Sequence, residues 1–223
     1  RYNTAAGFSM VRYGANGTAG HAIPHHLSKA PELIIIKNLD YNGTEWVVGT
    51  EQELASMNWN HVLYMDQAVA FSDWNVWNDT APTSSAFTVS TAPSTNHNNQ
   101  NLIAYCFHSV DGYSRIGNYI GNGNSNGTYV ATGFSPRWII IKRLNGSYGY
   151  AMHDTVRDTM NPITAAFKAD DTEPETTINN GGGIDFLSNG FKIRDSGSGM
   201  NGSGDKYLYW AIADRPFKYT NAR

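Results

Sequence analysis

Apolar positions in this chain come in short runs separated by polar turns, and one run is written twice. Pro31-Glu32-Leu33-Ile34-Ile35-Ile36-Lys37-Asn38-Leu39 recurs 105 positions later as Pro136-Arg137-Trp138-Ile139-Ile140-Ile141-Lys142-Arg143-Leu144. Three consecutive isoleucines between a proline and a lysine form a β-branched run, too short for a helix and suited to a strand buried on both faces. Proline marks where such a strand begins, because it donates nothing to a ladder. The comparison extends outward at nearly the same offset. Gly7-Phe8-Ser9 pairs with Gly112-Tyr113-Ser114, Tyr13 and Asn16-Gly17 with Tyr119 and Asn122-Gly123, and Phe87-Thr88-Val89 with Phe191-Lys192-Ile193. Ile103-Ala104-Tyr105-Cys106-Phe107 likewise pairs with Leu208-Tyr209-Trp210-Ala211-Ile212.

Eight Asn-Gly pairs, at Asn16, Asn42, Asn122, Asn126, Asn145, Asn180, Asn189 and Asn201, punctuate these runs. Asn-Gly is the strongest short-range signal for a tight hairpin turn. Strands are expected over 8–13, 33–39, 45–50, 62–71, 86–90 and 102–110, then over 114–120, 138–144, 148–153, 184–187, 191–194 and 206–213. Helix signals are thin, about two turns over 51–57 and one over 154–159, and 93–101 and 170–183 read as surface loops. The expectation is an all-β, antiparallel β-sandwich of the lectin-like jelly-roll kind, built from two internal repeats of about 105 residues, 1–111 and 112–223. With no linker between them, the repeats are expected to pack as one sandwich, with two abutting sandwiches as the other arrangement.

Composition narrows the partners. Of 223 residues only 16% are charged and the net charge is -3, so nothing draws the surface to phosphate backbones or anionic lipid. Neither nucleic acid nor a membrane is expected as a partner, and no apolar run approaches the roughly 20 residues of a membrane span. A single cysteine, Cys106, makes no intrachain disulfide, so the core must hold the fold. The chain opens on Arg1 with no signal-peptide pattern and reads as a segment of a longer polypeptide. Six Asn-x-Ser/Thr sequons occur, five of them Asn-Gly-Thr/Ser, which are turn dipeptides first.

Catalytic and metal chemistry find little footing. The Gly121-to-Gly127 stretch has neither a GxGxxG nor a Walker spacing. Asn122-x-Asn124-x-Asn126-Gly127 imitates the first half of a calcium loop, yet its twelfth position is Gly133 rather than glutamate. His21, His25 and His26 surround Pro24, which blocks the helix that would align them as ligands, and they read as exposed loop histidines. Cys106 and His108 alternate onto one strand face as a nucleophile and base would. Their counterparts are Ala211 and Ala213, so small packed core positions are the simpler reading. A glycosidase pair of carboxylates is missing from any strand, and Asp170, Asp171, Glu173 and Glu175 lie in a solvated Thr/Pro-rich segment. No cofactor, metal or catalytic residue is expected.

Aromatics among amides are more informative. Trp59, Trp74 and Trp77 stand among Asn, Asp and His in a segment the second half lacks, and Asn96, His97, Asn98 and Asn99 form an amide-rich loop. A ring that stacks on the C–H face of a sugar, beside amides that meet its hydroxyls, is a carbohydrate site. In a sandwich most tryptophans are instead core. Asymmetry between the halves favours the seven residues as the ligand-binding set, since scaffold residues should recur and specificity residues need not.

Taken together, Gly7-Phe8-Ser9 with Tyr13 and Asn16-Gly17, Pro136 to Arg143, Ala104-Tyr105-Cys106-Phe107 before Gly112-Tyr113-Ser114, Ser188-Asn189-Gly190-Phe191-Lys192, and the closing Tyr207 to Tyr219 with Ala222-Arg223 resemble a domain of tailed-phage structural proteins, especially of marine and cyanobacterial viruses. The resemblance covers nearly the whole chain. It implies a virion location, a place at or near the end of a fibre or spike protein, a lectin-like sandwich and no catalytic motif. His21 to His26 departs from it, where relatives have a Gly-containing turn. The expected role is non-enzymatic, a tail-fibre or surface module that binds a host-surface glycan, contacts other virion proteins and forms a homo-oligomer, a trimer being one option. Capsid decoration or fibre assembly without glycan binding, and a polysaccharide depolymerase, are the rival readings.

Overall fold

The computed structural model describes residues 1–177 and 182–215. The expected turn at 180–181 and the 216–223 part of the closing motif lie outside the described residues. The chain divides into two compact units: Arg1–Asp66 with Phe71–His108, and Gln67–Ala70 with the described residues from Ser109 onward. Each has its own sheets and its own apolar interior, where one shared sandwich was the first expectation.

Unit 1 contains β1 (Tyr2–Asn3), β2 (Phe8–Gly14), β3 (His21–Pro24), β4 (Leu33–Asn38), β5 (Val47–Thr50), β6 (His61–Tyr64), β7 (Ser72–Asp73), β8 (Ala86–Val89) and β9 (Asn101–Phe107). Its large antiparallel sheet runs β1-β2-β9-β4-β5-β6-β7, and β3 pairs with β8 in a small second sheet. The triple isoleucine explains why β4 lies inside: β9 and β5 take its two hydrogen-bonding edges, and Leu33, Ile34, Ile35 and Ile36 are all buried. Along β9 the period of two is plain, with Leu102, Ala104 and Cys106 turned into the core. Ile23, Phe87 and Val89 of the small sheet meet them there, which makes the unit a sandwich.

Unit 2 contains β10 (Ser114–Ile120), β11 (Tyr129–Ala131), β12 (Pro136–Arg143), β13 (Tyr150–Asp154), β14 (Ala165–Lys168), β15 (Thr176–Thr177), β16 (Ile184–Leu187), β17 (Gly190–Ile193) and β18 (Lys206–Ala213). The large antiparallel sheet runs β10-β18-β12-β13-β14-β15 and the small one β11-β17-β16. Here Ile139 and Ile141 of β12 join Tyr207, Tyr209, Ala211 and Ala213 of β18 under Val130, Phe191 and Ile193. Ser188-Asn189 turns the β16–β17 hairpin, pairing Leu187 with Gly190.

The structure departs from the expected elements at the edges. The strand expected over 62–71 is shorter, ending at Tyr64, and β7 is a separate two-residue strand. β1, β3, β11, β14 and β15 lie outside the expected strands; they are short pieces whose membership depends on which neighbour offers an unpaired backbone. The helix expected over 51–57 is only a 3-10 turn at Glu53–Ala55. At 154–159 the Asp154 carboxylate accepts the Val156 and Arg157 N–H groups and closes a turn in place of a helix. One helical turn, α1 (Pro93–Asn96), falls inside the expected loop.

Candidate functional site

Of the seven expected ligand-binding residues, three are structural. Trp59 and Trp77 are 4% and 0% exposed, packed edge to face with centroids 5.4 Å apart, and no sugar can reach either ring. Gly49 is the reason they fit. A Cβ there would lie 2.5 Å from the Trp77 ring and 2.6 Å from the Trp59 ring, so only glycine leaves the sheet open to two indoles. Trp74, 40% exposed, is the accessible one of the three, and it follows edge strand β7 whereas 96–99 precedes β9 in the middle of the sheet.

Asn96 is the third. It is fully buried at the end of α1, and its amide is spent on backbone. Nδ2 donates to Ser90 O at 2.7 Å and Thr18 O at 2.9 Å, and Oδ1 accepts the Asn16 N–H at 3.0 Å. Unit 2 contains the same lock. Asn201 Nδ2 donates to Asp195 O and Asn124 O, both at 2.8 Å, and Oδ1 accepts the Asn122 N–H at 3.0 Å. Tyr13 donates to Thr95 O at 2.6 Å beside the first, and Tyr119 to Met200 O at 2.7 Å beside the second. By the asymmetry criterion Asn96 is scaffold. The sequence carried the signal, since Asn96 and Asn201 lie 105 positions apart, but Asn201-Gly202 read as a surface turn.

Apart from Trp74, what remains is His97, Asn98 and Asn99, and the structure adds Tyr41. The Tyr41 ring, 44% exposed, lies flat on the His97 imidazole, with centroids 5.3 Å apart and planes 13° from parallel. Asn38 fixes both sides of this pair. Its Oδ1 accepts the Tyr41 N–H at 3.1 Å, while its Nδ2 donates to Pro93 O at 3.0 Å and to Gln100 Oε1 at 2.7 Å. Asp40 tightens the same corner, its Oδ2 accepting both N–H donors of Asn101 at 2.7 Å. These bonds hold the Asp40 carboxyl below the ordinary range, the Asn101 side-chain amide contributing most. Asn98 and Asn99 stand exposed next to the ring pair, and Asn99 takes a left-handed φ of 61°. A flat, half-exposed ring backed by a second ring and rimmed by free amides can stack on an apolar ligand face and bond the groups around it.

This pair belongs to unit 1 alone. Asn145 occupies the place of Asp40, its Oδ1 accepting the Lys206 N–H as Asp40 accepts that of Asn101, and the residue after it is Gly146. Gly202 follows Asn201 as His97 follows Asn96. Two glycines therefore stand where unit 1 has two rings. Tyr41 escaped the sequence reading because it sits beside Asn42-Gly43, an ordinary turn signal, and its partner is 56 positions away.

The other chemistry-bearing residues are accounted for by packing. Cys106 is buried between Ser9 and Ile34, and desolvation pushes its thiol up to about 12, which removes it as a nucleophile near neutrality. His25, expected to be exposed, is buried: one ring nitrogen bonds Thr83 O at 3.0 Å, the other accepts the Leu27 N–H at 3.1 Å, and burial lowers its pKa. His26 is the exposed member, stacked on Tyr2. The 122–126 asparagines bond one another in successive turns, Asn122 Oδ1 taking the Asn124 N–H and Asn124 Oδ1 the Asn126 N–H. No group of three or more metal-ligating side chains occurs among the described residues.

A family model described as "Domain of unknown function (DUF7483)" matches residues 1–216. No curated protein and no solved structure matches the chain.

Proposed function

The chain belongs to this DUF7483 family, and we propose that it is a non-catalytic glycan-binding module of a tailed-phage structural protein, attaching the virion to host-surface carbohydrate through the Tyr41–His97 corner of unit 1. One observation carries the reading: a half-exposed tyrosine stacked on His97, flanked by the free amides of Asn98 and Asn99, where unit 2 has Gly146 and Gly202. The phage assignment rests on the sequence resemblance. A surface with little net charge leaves stacking and neutral hydrogen bonds as the source of affinity. One stacked ring contributes about 0.5–1.5 kcal/mol beyond its buried area, so a single site is weak, and several copies on one fibre raise the avidity.

A glycan array probed with multimerised protein tests this. Tyr41→Ala and His97→Ala should lower the signal about three- to tenfold on the glycans the wild type binds, without release of reducing ends from any of them. Undiminished binding by both variants would place the site elsewhere, Trp74 being the next residue to change.

A further inference from the structure

Unit 2 has a cleft of its own, of about 170 Å³, lined by Tyr148, Ala151, Ala166, Lys168, Asp195 and Met200 among others. Its existence follows from side-chain size. In unit 1, Val47 of β5 lies opposite Tyr64 of β6, and Val62 and Tyr64 fill space against the core. At the matching place in unit 2, Ala151 of β13 lies opposite Lys168 of β14, with Ala166 two residues before it. Two alanines and a lysine that turns outward leave a hollow with an apolar floor.

Asp195 gives the hollow its chemistry. It is 7% exposed, and among the described residues its only side-chain hydrogen bond is from the Gly197 N–H to Oδ1 at 3.0 Å, with no bond to Oδ2 and no cation paired with it. The charges around it are otherwise matched. Lys168 pairs with Asp171 at 3.3 Å, Arg143 lies over the Tyr148 ring and pairs with Asp205 at 2.7 Å, and Asp170 accepts the Tyr150 N–H while facing Lys142. A largely buried carboxylate that lines the cleft without a countercharge is better satisfied by a cationic donor that reaches it there than by a neutral one. In unit 1 the residue whose carbonyl caps the buried asparagine is Ser90, which brings no charge.

We propose that this cleft binds an amino sugar with a free amine, its ammonium on Asp195 Oδ2 and its C–H face against Tyr148, Ala151, Ala166 and Met200. The volume suits a single ring rather than a drug-sized ligand. Lys168 and Thr176 at the rim offer partners for ring hydroxyls, which a bare alkylammonium would leave unused. The site uses unit 2 alone and is independent of the Tyr41 corner.

Titration of the full chain, followed by amide chemical shifts in slightly acidic buffer, separates the possibilities with four probes: glucosamine, glucose, N-acetylglucosamine and Nα-acetyl-lysine amide. Glucosamine should shift the amides of Ala151, Ala166 and Thr176 and bind roughly tenfold more tightly than the two sugars without an ammonium. Asp195→Asn, which keeps an acceptor for Gly197, should remove that margin. Ala166→Val should abolish binding while thermal stability is kept, and Tyr41→Ala should leave it unchanged. Equal binding of glucose, no effect of Asp195→Asn, or tighter binding of the lysine amide would overturn the assignment.

Discussion

Opposite Ile34 on β5 stands Gly49, roofed by two indoles; opposite Ile139 on β13 stands His153, fully buried. The bonds around these positions are nevertheless alike. Lys37 Nζ donates to Thr44 O beside the Trp46 ring, and Lys142 Nζ donates to Tyr148 O beside the Tyr150 ring. Asn96 and Asn201 lock the same Asn-Gly loops, and a Cβ on Gly17 or Gly123 would meet Asn98 or Ser203 within 3 Å. Both glycines also have φ of +67°, so conformation and space each require them. The difference teaches that polar locks define the frame, whereas the filling of each sandwich and its loop corner were free to diverge. Unit 1 is filled by tryptophan over Gly49 and presents rings; unit 2 has His153 there, and keeps a hollow where Ala151 and Ala166 stand in place of Val47 and Val62.

The largest test of that contrast is Trp77→Ala, which should cost about 3–5 kcal/mol by urea denaturation as the indole's volume is left empty. Gly49→Ala, pushing a methyl into both rings, should cost about 1–3 kcal/mol. Losses of only a few tenths would mean that the indoles do not carry unit 1.

His153 gives unit 2 a pH response at a position where unit 1 has glycine. Burial lowers its pKa from 6.5 to about 4; Nδ1 bonds Ala165 O at 3.1 Å, and Nε2 has no partner among the described residues to receive a second proton. The unfolded chain therefore binds the proton first, and the contribution, full above pH 6.5, is lost as pH falls toward about 4. The loss amounts to at most about 3 kcal/mol. His25, also lowered, acts in the same direction. Stability measured between those pH values should fall less in His153→Leu than in wild type, and equal slopes would contradict the assignment.

Asn96→Ala and Asn201→Ala sharpen the comparison most directly. Each strips the partners from several backbone groups, one of them buried and the others part-buried, and should cost about 1–3 kcal/mol in thermal or chemical unfolding. Costs matching within about 0.5 kcal/mol would mark one lock used twice, and a large mismatch would separate the two corners. At the small end, Tyr41→Ala should change stability by no more than about 0.5 kcal/mol, as for an exposed side chain, while it weakens glycan binding.

Sequence by itself determined the strands that lie inside. A β-branched triplet after a proline has no better use than a central strand, and period-two alternation in 102–107 and 207–213 assigned which side chains face inward. Cys106 was legible too, because its counterpart is alanine at an offset the chain itself supplied. Tertiary structure decided what local pattern cannot encode. Trp59 and Trp77 became core because Gly49, distant in sequence, leaves them room, and Asn96 became a lock because its amide meets backbone 80 positions away. His97 became half of a platform only when the 38–41 turn brought Tyr41 onto it, and the Asp195 cleft exists because the β-strands around it carry alanine where unit 1 carries valine. Burial and stacking are relations between distant segments, so a residue's role in them is set by whichever neighbour the sheet order delivers.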